Sequence, residues 1–205
     1  LHRAASIKSV GSSTRIEGAK LSDREDEALL SNLEIKEFIS RNEQEVADFG
    51  TVMQTVFESW ETIDPTENHI KQPPCDLLQH TGKHQRHRGA YETLPNHLEA
   101  FGPDGESLGV IFETATPFER PEKIVGLVTR TRNILQEKTL HPLPVISIFA
   151  PVFPAIHLFQ NGNGRLSRVL TTLLLRAGYA YVPYSSLESV TGNRGWPFFY
   201  KGCNN

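Results

Sequence analysis

The sequence contains little cysteine, no marked excess of either charge and no apolar run long enough to span a membrane. Its two cysteines, Cys75 and Cys203, stand far apart and outside any CxxC or metal-type spacing. A disulfide framework is therefore not expected, and a reducing compartment is the default. The net charge of −3 predicts neither a basic surface for nucleic acid nor an acidic tail. A length of 205 residues allows one core, or one domain with a helical extension.

Two stretches bear on secretion and membranes. Residues 1–10 lack the apolar core of a signal peptide. Residues 143–156 carry no charge, but they are too short to cross a bilayer and contain Pro144, Pro151 and Pro154. We therefore interpret residues 143–156 as a buried core segment and expect a cytoplasmic protein without a membrane partner.

Helical periodicity dominates the first part of the chain. Ser13 and Gly18 predict a short helix that the serine caps and the glycine stops. Ser22 and Glu25 form a capping box, which predicts the start of an amphipathic helix. Its apolar residues would be Leu29, Leu30, Leu33, Phe38 and Ile39. Another helix is predicted from the spacing of Val46, Phe49, Met53, Val56, Phe57 and Trp60.

The second part of the chain combines a hairpin with further helices. Residues 97–101 and 108–112 are short apolar runs around Gly-Pro-Asp-Gly, which predicts a β-hairpin. Helical spacing returns at Ile124, Leu127, Val128, Thr131 and Leu135, and again at Leu166, Val169, Leu170, Leu173 and Leu174. We predict an all-α fold class with a small β-hairpin. Residues 1–62 would form an N-terminal helical region and residues 63–205 the main domain.

A phosphate site is predicted at the start of the last amphipathic helix. Gly162, Asn163 and Gly164 stand directly before it, and a helix start offers unpaired N–H groups at the positive end of the dipole. Glycines allow several N–H groups to converge on one anion. Arg165 and Arg168 lie three residues apart on one side of the first turn, and their planar forks suit phosphate.

A histidine stands close to this predicted anion site. His157 lies five residues before the first glycine, and the neutral-range pKa of imidazole makes it a natural general base beside a polyphosphate. Phe159 is better interpreted as a core anchor than as a catalytic group. The segment is neither a GxGxxG motif nor a Walker loop, because Ser167 takes the third glycine position and no Gly-Lys-Ser/Thr follows.

Residues 157–168, which read His-Leu-Phe-Gln-Asn-Gly-Asn-Gly-Arg-Leu-Ser-Arg, resemble the signature of Fic proteins, His-Pro-Phe-x-Asp/Glu-Gly-Asn-Gly-Arg-x-x-Arg. The similarity extends from about residue 7 to about residue 193 and includes residues 171–175 and 181–184. The resemblance implies a helical core with a β-hairpin flap over the active site. It also implies transfer of AMP from ATP to a hydroxyl of a target protein, with Mg²⁺.

The resemblance implies a role for each matching residue. His157 would deprotonate the target hydroxyl, and residues 162–164 would bind the α- and β-phosphates. Arg165 would support the phosphates, and Arg168 would pair with the γ-phosphate. The hairpin over residues 96–116 resembles the flap that aligns the target segment by strand pairing, a mode in which main-chain bonds position any sequence.

An inhibitory segment is also implied near the start of the chain. Ser13, Glu17 and Gly18 match the Fic inhibitory motif, Ser/Thr-x-x-x-Glu-Gly/Asn. In that family the glutamate pairs with the second arginine of the signature, which is Arg168 here. One guanidinium cannot serve a carboxylate and a phosphate in the same geometry, so the resemblance implies an enzyme autoinhibited through Glu17.

Three departures from the family pattern are expected to matter. Asn161 replaces the acid that holds Mg²⁺, and an amide oxygen is a weaker ligand for this hard cation. Leu158 replaces proline after the histidine, so His157 is expected to be held less firmly. Prolines at 144, 151 and 154 fall where the family has a continuous buried helix, and an interior proline costs about 3 kcal/mol. Pro73 and Pro74 raise the same problem, and the irregular end after residue 193 is consistent with truncated final helices in a decayed or partial gene.

Four functions compete at this point. The first is AMP transfer, with ATP and a protein hydroxyl of Ser, Thr or Tyr as partners, on the chain itself or on another protein; oligomeric state is left open. The second is an impaired, ATP-binding regulatory relative. The third is phosphate transfer as in the Doc toxins, which have Ala-Asn-Lys in place of Gly-Asn-Gly. The fourth is a zinc site at His80, His84 and His87, although Gly82 weakens the helix that their spacing requires.

Overall fold

The computed structural model describes residues 2–32, 38, 40–63 and 90–178, which contain helices and one antiparallel hairpin. The elements in chain order are α1 (His2–Ile16), α2 (Asp23–Leu30), α3 (Arg41–Ser59), β1 (His97–Phe101), β2 (Ser107–Glu113), α4 (Arg120–Glu137), α5 (Pro142–Ile156) and α6 (Asn163–Gly178). The predicted class, helical with a small hairpin, is confirmed. None of the helices in these ranges combines the length and apolar character that crossing a bilayer requires.

Helix α1 is longer than the short helix predicted around Ser13. It begins at His2, so Ser13 is buried in the helix interior and does not cap it. The cap signal was misleading because a serine hydroxyl serves equally well as a partner for groups outside its own helix.

The predicted stop of α1 at Gly18 is confirmed. Gly18 has a φ of 103°, which costs glycine little and other residues much more. The N–H groups of Gly18 and Ala19 donate to the carbonyls of Arg15 (3.0 Å) and Thr14 (3.1 Å). This is a Schellman ending, and it places Glu17 at the C-cap, where the backbone is tightly held.

Helix α2 begins with the predicted capping box. The Ser22 N–H donates to Glu25 Oε2 at 2.8 Å, and the serine hydroxyl accepts in return from the Glu25 N–H. The helix ends at Leu30, however, and Phe38 lies outside it, so the predicted extension toward residue 39 was wrong. The Ser31 hydroxyl donates to the Glu27 carbonyl at 2.6 Å and satisfies a carbonyl of the last turn.

Helix α3 confirms the second predicted helix. A capping box at Ser40 and Glu43, not recognised in the sequence, begins it: the Ser40 N–H donates to Glu43 Oε2 at 3.0 Å. Its apolar face joins α1, α4, α5 and α6 in one core. The largest fully buried apolar side chains of that core are Phe49, Phe153, Ile124, Leu158 and Leu166.

The β-hairpin projects from this core and contributes little to it. His97 lies opposite Glu113, and the register shifts twice along the ladder. Every residue of β2 is exposed, including Leu108 and Ile111. Exposed strands of this kind offer free main-chain groups for a further strand, which suits the predicted flap.

Helix α5 corrects two expectations about residues 143–156. The segment is a continuous helix, but only one face of it is buried, through residues such as Phe149 and Phe153, whereas Ile148 is 63% exposed. Pro144 lies in the first turn, where a missing N–H costs little. Pro151 and Pro154 lie inside the helix and remove the N–H partners of two carbonyls, those of Ser147 and Ala150.

The carbonyl that Pro154 leaves without a helical partner has another donor. The hydroxyl of the buried Ser167, on α6, donates to the Ala150 carbonyl at 2.8 Å. The Ser147 carbonyl instead belongs to an exposed residue, where solvent can donate to it. The helix therefore tolerates its interior prolines at a lower cost than expected, and Ser167 links α5 to α6.

We expect Ser167→Ala to lower the free energy of unfolding by about 1–3 kcal/mol, because it leaves the half-buried Ala150 carbonyl without a protein donor. Urea denaturation followed by circular dichroism measures the change. Pro154→Ala restores the N–H, so most of the loss should disappear when Ser167→Ala is made in that background. A matched control is Thr55→Ala, which removes an exposed hydroxyl bonded to the Thr51 carbonyl inside α3. Equal losses for both alanine variants would contradict the assignment.

Several sequence predictions lie outside the described residues. They concern the two prolines at 73 and 74, the three histidines considered for zinc, both cysteines and the C-terminal end after residue 178. The residues involved are Pro73, Pro74, Cys75, His80, His84, His87 and Cys203.

Candidate functional site

The predicted anion site lies at the N-terminus of α6. Gly162 has a φ of 81° and its carbonyl accepts the Leu166 N–H at 2.9 Å, so it is the N-cap of the helix. The N–H groups of the following turn, Asn163 to Arg165, have no carbonyl acceptor within the helix. A positive φ at Gly162 turns the chain so that these donors face the same side, as an anion site requires.

The Asn163 side chain holds the loop that precedes the helix. Its Oδ1 accepts the Phe159 N–H at 3.0 Å, and its Nδ2 donates to the Phe159 carbonyl. The amide is buried and both of its ends are occupied. Asn163 therefore offers an anion its backbone N–H and not its side chain. Phe159 is buried beside Tyr91, in agreement with its interpretation as a core anchor.

His157 adopts a conformation that is rare for a residue with a side chain. It caps α5 with φ 55° and ψ 60°, and its N–H donates to the Pro154 carbonyl at 3.1 Å. Left-handed backbone at a non-glycine residue is often found at functional sites. The next residue, Leu158, is fully buried, and its carbonyl accepts the Glu92 N–H at 2.7 Å. His157 thus has backbone hydrogen bonds on both sides, at its own N–H and at the carbonyl of the next residue.

The imidazole of His157 is buried, and its pKa is lowered. Only 5% of the residue is exposed, and Asn96 Nδ2 lies 3.3 Å from Nε2. Burial is the main cause that lowers the pKa of His157, the charge of Arg120 lowers it further, and Glu92 partly opposes both. A histidine with a lowered pKa is neutral at pH 7 and can accept a proton.

Glu17 lies between the two arginines of α6. Its Oε1 accepts from Arg168 Nη2 at 2.7 Å, and its Oε2 lies 2.8 Å from Arg165 Nε. Arg168 also donates to the Ser13 hydroxyl through Nε and to the Ser13 carbonyl at 3.1 Å. The pairing of Glu17 with Arg168 that the resemblance implied is therefore present in the structure, and Ser13 belongs to the same cluster.

Arg165 retains an unused donor within this cluster. The residue is 4% exposed, and its Nη1 has no hydrogen-bond partner among the residues that the structure describes. Burying a guanidinium with an idle donor is costly unless an anion can reach it. Together with the helix N-terminus, Arg165 is suited to binding a phosphate.

A second set of contacts fixes the end of α1 against α2. Arg15 donates to the buried Asp26 at 2.7 Å and to the Leu21 carbonyl at 3.0 Å. Gly11 permits this approach, because a Cβ there would lie 2.1 Å from Asp26 Oδ2. These contacts, two residues from Glu17 in sequence, help to hold it at the arginines.

Within the described ranges, the residue at the family's metal position is poorly suited to Mg²⁺. The family position for the metal-binding acid is Asn161, which offers only a neutral oxygen. No cluster of three or more His, Cys, Asp or Glu residues suited to a metal ion occurs in the described part of the chain. We therefore assign no chemical step to a metal.

Known proteins share the sequence pattern and the fold. The sequence model described as "Fic/DOC family" matches residues 64–175. No curated protein matches the chain.

Solved structures share the fold. A Fic domain containing signaling protein from Bacteroides thetaiotaomicron has a TM-score of 0.74 at 21% identity, over 92% of this chain and 68% of that one. A Fic family protein from Desulfovibrio desulfuricans has a TM-score of 0.72 at 21% identity, over 95% of this chain and 55% of that one. For Fic-1 from C. elegans the TM-score is 0.65 at 21% identity, over 89% of this chain and 52% of that one. The chain thus spans about half of the latter two.

Proposed function

Because the chain belongs to the Fic/DOC family, we propose that it is a protein adenylyltransferase, which transfers AMP from ATP to a hydroxyl side chain of a protein. The observation that carries the proposal is the arrangement around residues 157–165. A buried histidine with a lowered pKa precedes a helix N-terminus where Arg165 Nη1 has no hydrogen-bond partner among the described residues. A base next to a polyphosphate site is what nucleotidyl transfer to a hydroxyl requires.

The proposed reaction is a displacement at the α-phosphorus of ATP. The target hydroxyl oxygen forms a bond to that phosphorus while its proton passes to His157. The bond from the α-phosphorus to the bridging oxygen breaks, and pyrophosphate leaves. Backbone N–H groups at the start of α6, together with Arg165 and Arg168, would offset the negative charge of the phosphates. The exposed hairpin would align the target segment by strand pairing.

Glu17 would hold this enzyme in an inhibited state. Its two oxygens occupy positions at Arg168 Nη2 and Arg165 Nε, which a phosphate would need. Because the carboxylate belongs to the same chain, it competes with the phosphates of ATP for the two arginines at a high effective concentration. ATP would therefore bind in an unproductive pose or not at all.

Labelled ATP tests the proposal directly. The Glu17→Gly form is incubated with Mg²⁺ and ATP carrying the label on the α-phosphate or, separately, on the γ-phosphate. We expect label on the chain itself, or on an added protein substrate, from the α-labelled nucleotide only. His157→Ala in the same background should lower the rate by about 10²–10⁴-fold, because the general base is lost. Transfer of the γ-label would instead indicate a phosphotransferase.

A second function, an ATP-binding regulatory relative, is favoured by Asn161 at the metal-binding position. It predicts that ATP binds to Glu17→Gly in calorimetry while neither label is transferred. The absence of both binding and transfer would contradict both functions.

A further inference from the structure

Residues 92–96, the segment that leads into β1, connect His157 to a buried arginine. We call them the 92–96 strap. The strap donates one bond to the loop after His157, from the Glu92 N–H to the Leu158 carbonyl at 2.7 Å. Its end carries Asn96, whose amide contacts the imidazole at 3.3 Å and whose carbonyl accepts the Thr114 hydroxyl. The strap therefore sets the position of the polar group that faces the base.

Arg120, the first residue of α4, donates two hydrogen bonds to the strap. Its Nη1 donates to the Glu92 carbonyl and its Nη2 to the Leu94 carbonyl at 3.0 Å. Both carbonyls belong to a segment without regular structure, which has no ladder to satisfy them. A planar fork with two parallel donors fits two carbonyls of one chain in a way that an ammonium group does not.

The environment of Arg120 is unfavourable for a cation. The residue is 0% exposed, and its Nε has no hydrogen-bond partner within the described ranges. It makes no ion pair with another described residue, and it stands at a helix N-terminus, where the dipole disfavours positive charge. Burial also lowers the pKa of the guanidinium, which nevertheless stays charged. Burying a neutral side chain at this position would cost less free energy, so the buried charge is expected to have a function.

We propose that Arg120 is a positioning residue for His157: its fork fixes the strap that brings Asn96 to the imidazole, and its guanidinium adds a buried positive charge to the surroundings of the ring. The inference rests on the proposed function only for its effect on the reaction rate. The positioning and the charge effect concern the protein alone. A purely structural clamp would fix the strap but would have no effect on the titration of the histidine.

The charges around His157 allow the direction of the effect to be worked out. Burial is the largest cause that disfavours the imidazolium, and Arg120, from α4, disfavours it further, whereas a hydrogen bond to the His157 backbone and the charge of Glu92, from the strap, favour it. Removing the Arg120 charge leaves burial, the backbone hydrogen bond and Glu92, so the pKa of His157 rises toward its ordinary value. His157 is then neutral only at higher pH. The acid limb of the plot of transfer rate against pH therefore moves to higher pH.

The test compares Arg120→Gln with Arg120→Lys in the full chain. Glutamine removes the charge and keeps one amide donor, whereas lysine keeps the charge and loses the fork. NMR titration measures the pKa of the His157 imidazole and does not require an active enzyme. The resonance is assigned as the one that is lost in His157→Gln. We expect the midpoint to move to higher pH in Arg120→Gln and to stay near that of the wild type in Arg120→Lys.

Transfer rates in the Glu17→Gly background measure the effect of losing the fork that positions the strap. Arg120→Lys should lower kcat by roughly 10–100-fold with little change in KM for ATP, because the strap moves but the phosphate site does not. An unchanged midpoint in folded Arg120→Gln overturns the charge role. An unchanged kcat in Arg120→Lys overturns positioning, and this holds even if the glutamine variant does not fold. If no form transfers AMP, the proposed function fails, while the titration still decides the charge role and an unshifted Asn96 side-chain amide resonance in Arg120→Lys overturns positioning.

Discussion

Replacing Glu17 by glycine is expected to raise the rate of AMP transfer by about 10–100-fold at subsaturating ATP. Glu17 makes two short contacts, at 2.7 Å with Arg168 and at 2.8 Å with Arg165. A hydrogen bond to a charged group is worth about 1.5–3 kcal/mol, and about 1.4 kcal/mol corresponds to tenfold in an equilibrium. Removing the competitor frees both guanidinium groups for phosphate. Initial rates of label transfer from α-labelled ATP measure the change.

Two further variants make this prediction specific. Glu17→Gln keeps the size of the side chain and removes its charge, so its rate should lie between those of the wild type and Glu17→Gly. Glu61→Gly removes an exposed glutamate in the turn after α3 and should leave the rate unchanged. Equal labelling by the wild type and Glu17→Gly, with both proteins folded, would refute autoinhibition by Glu17.

Replacing Asn161 by aspartate in the Glu17→Gly background is expected to raise transfer by at least about tenfold and to make it steeply dependent on Mg²⁺. The amide at this position offers the cation a neutral oxygen, and the carboxylate would supply the charged ligand that a hard cation prefers. A well-held metal ion stabilises charge on a transferring phosphoryl group by several kcal/mol. Transfer rates are measured across a series of Mg²⁺ concentrations for Glu17→Gly alone and for Glu17→Gly combined with Asn161→Asp.

The control is Asn161→Gln, which retains an amide and should give no gain. Asn161→Asp combined with His157→Ala should remain inactive, since the metal does not replace the base. If the Asn161→Asp variant carries no label at any Mg²⁺ concentration while it binds ATP, the adenylyltransferase proposal is wrong and the regulatory function is favoured.

Local signals in the sequence predicted those parts of the fold that depend on neighbouring residues. The capping box at Ser22 and the stop at Gly18 were predictable because both use bonds across three to five residues. The true start of α1 and the end of α2 at Leu30 were missed. Helix propensity is a weak signal for where a helix starts or ends, and tertiary packing decides the boundary.

At the anion site, too, some features were predictable from the sequence and others depend on the tertiary structure. The sequence alone determined that a glycine-rich turn and two arginines would stand at a helix start after a histidine, because these features are contiguous. It did not determine that the Asn163 amide closes the loop on Phe159, that Ser167 satisfies the carbonyl released by Pro154, or that Arg120 supports His157. Only the tertiary structure brings Glu17 to Arg168 across a separation of 151 residues. The reason is physical: contacts between distant segments depend on how helices pack, and a motif describes only what its own backbone can reach.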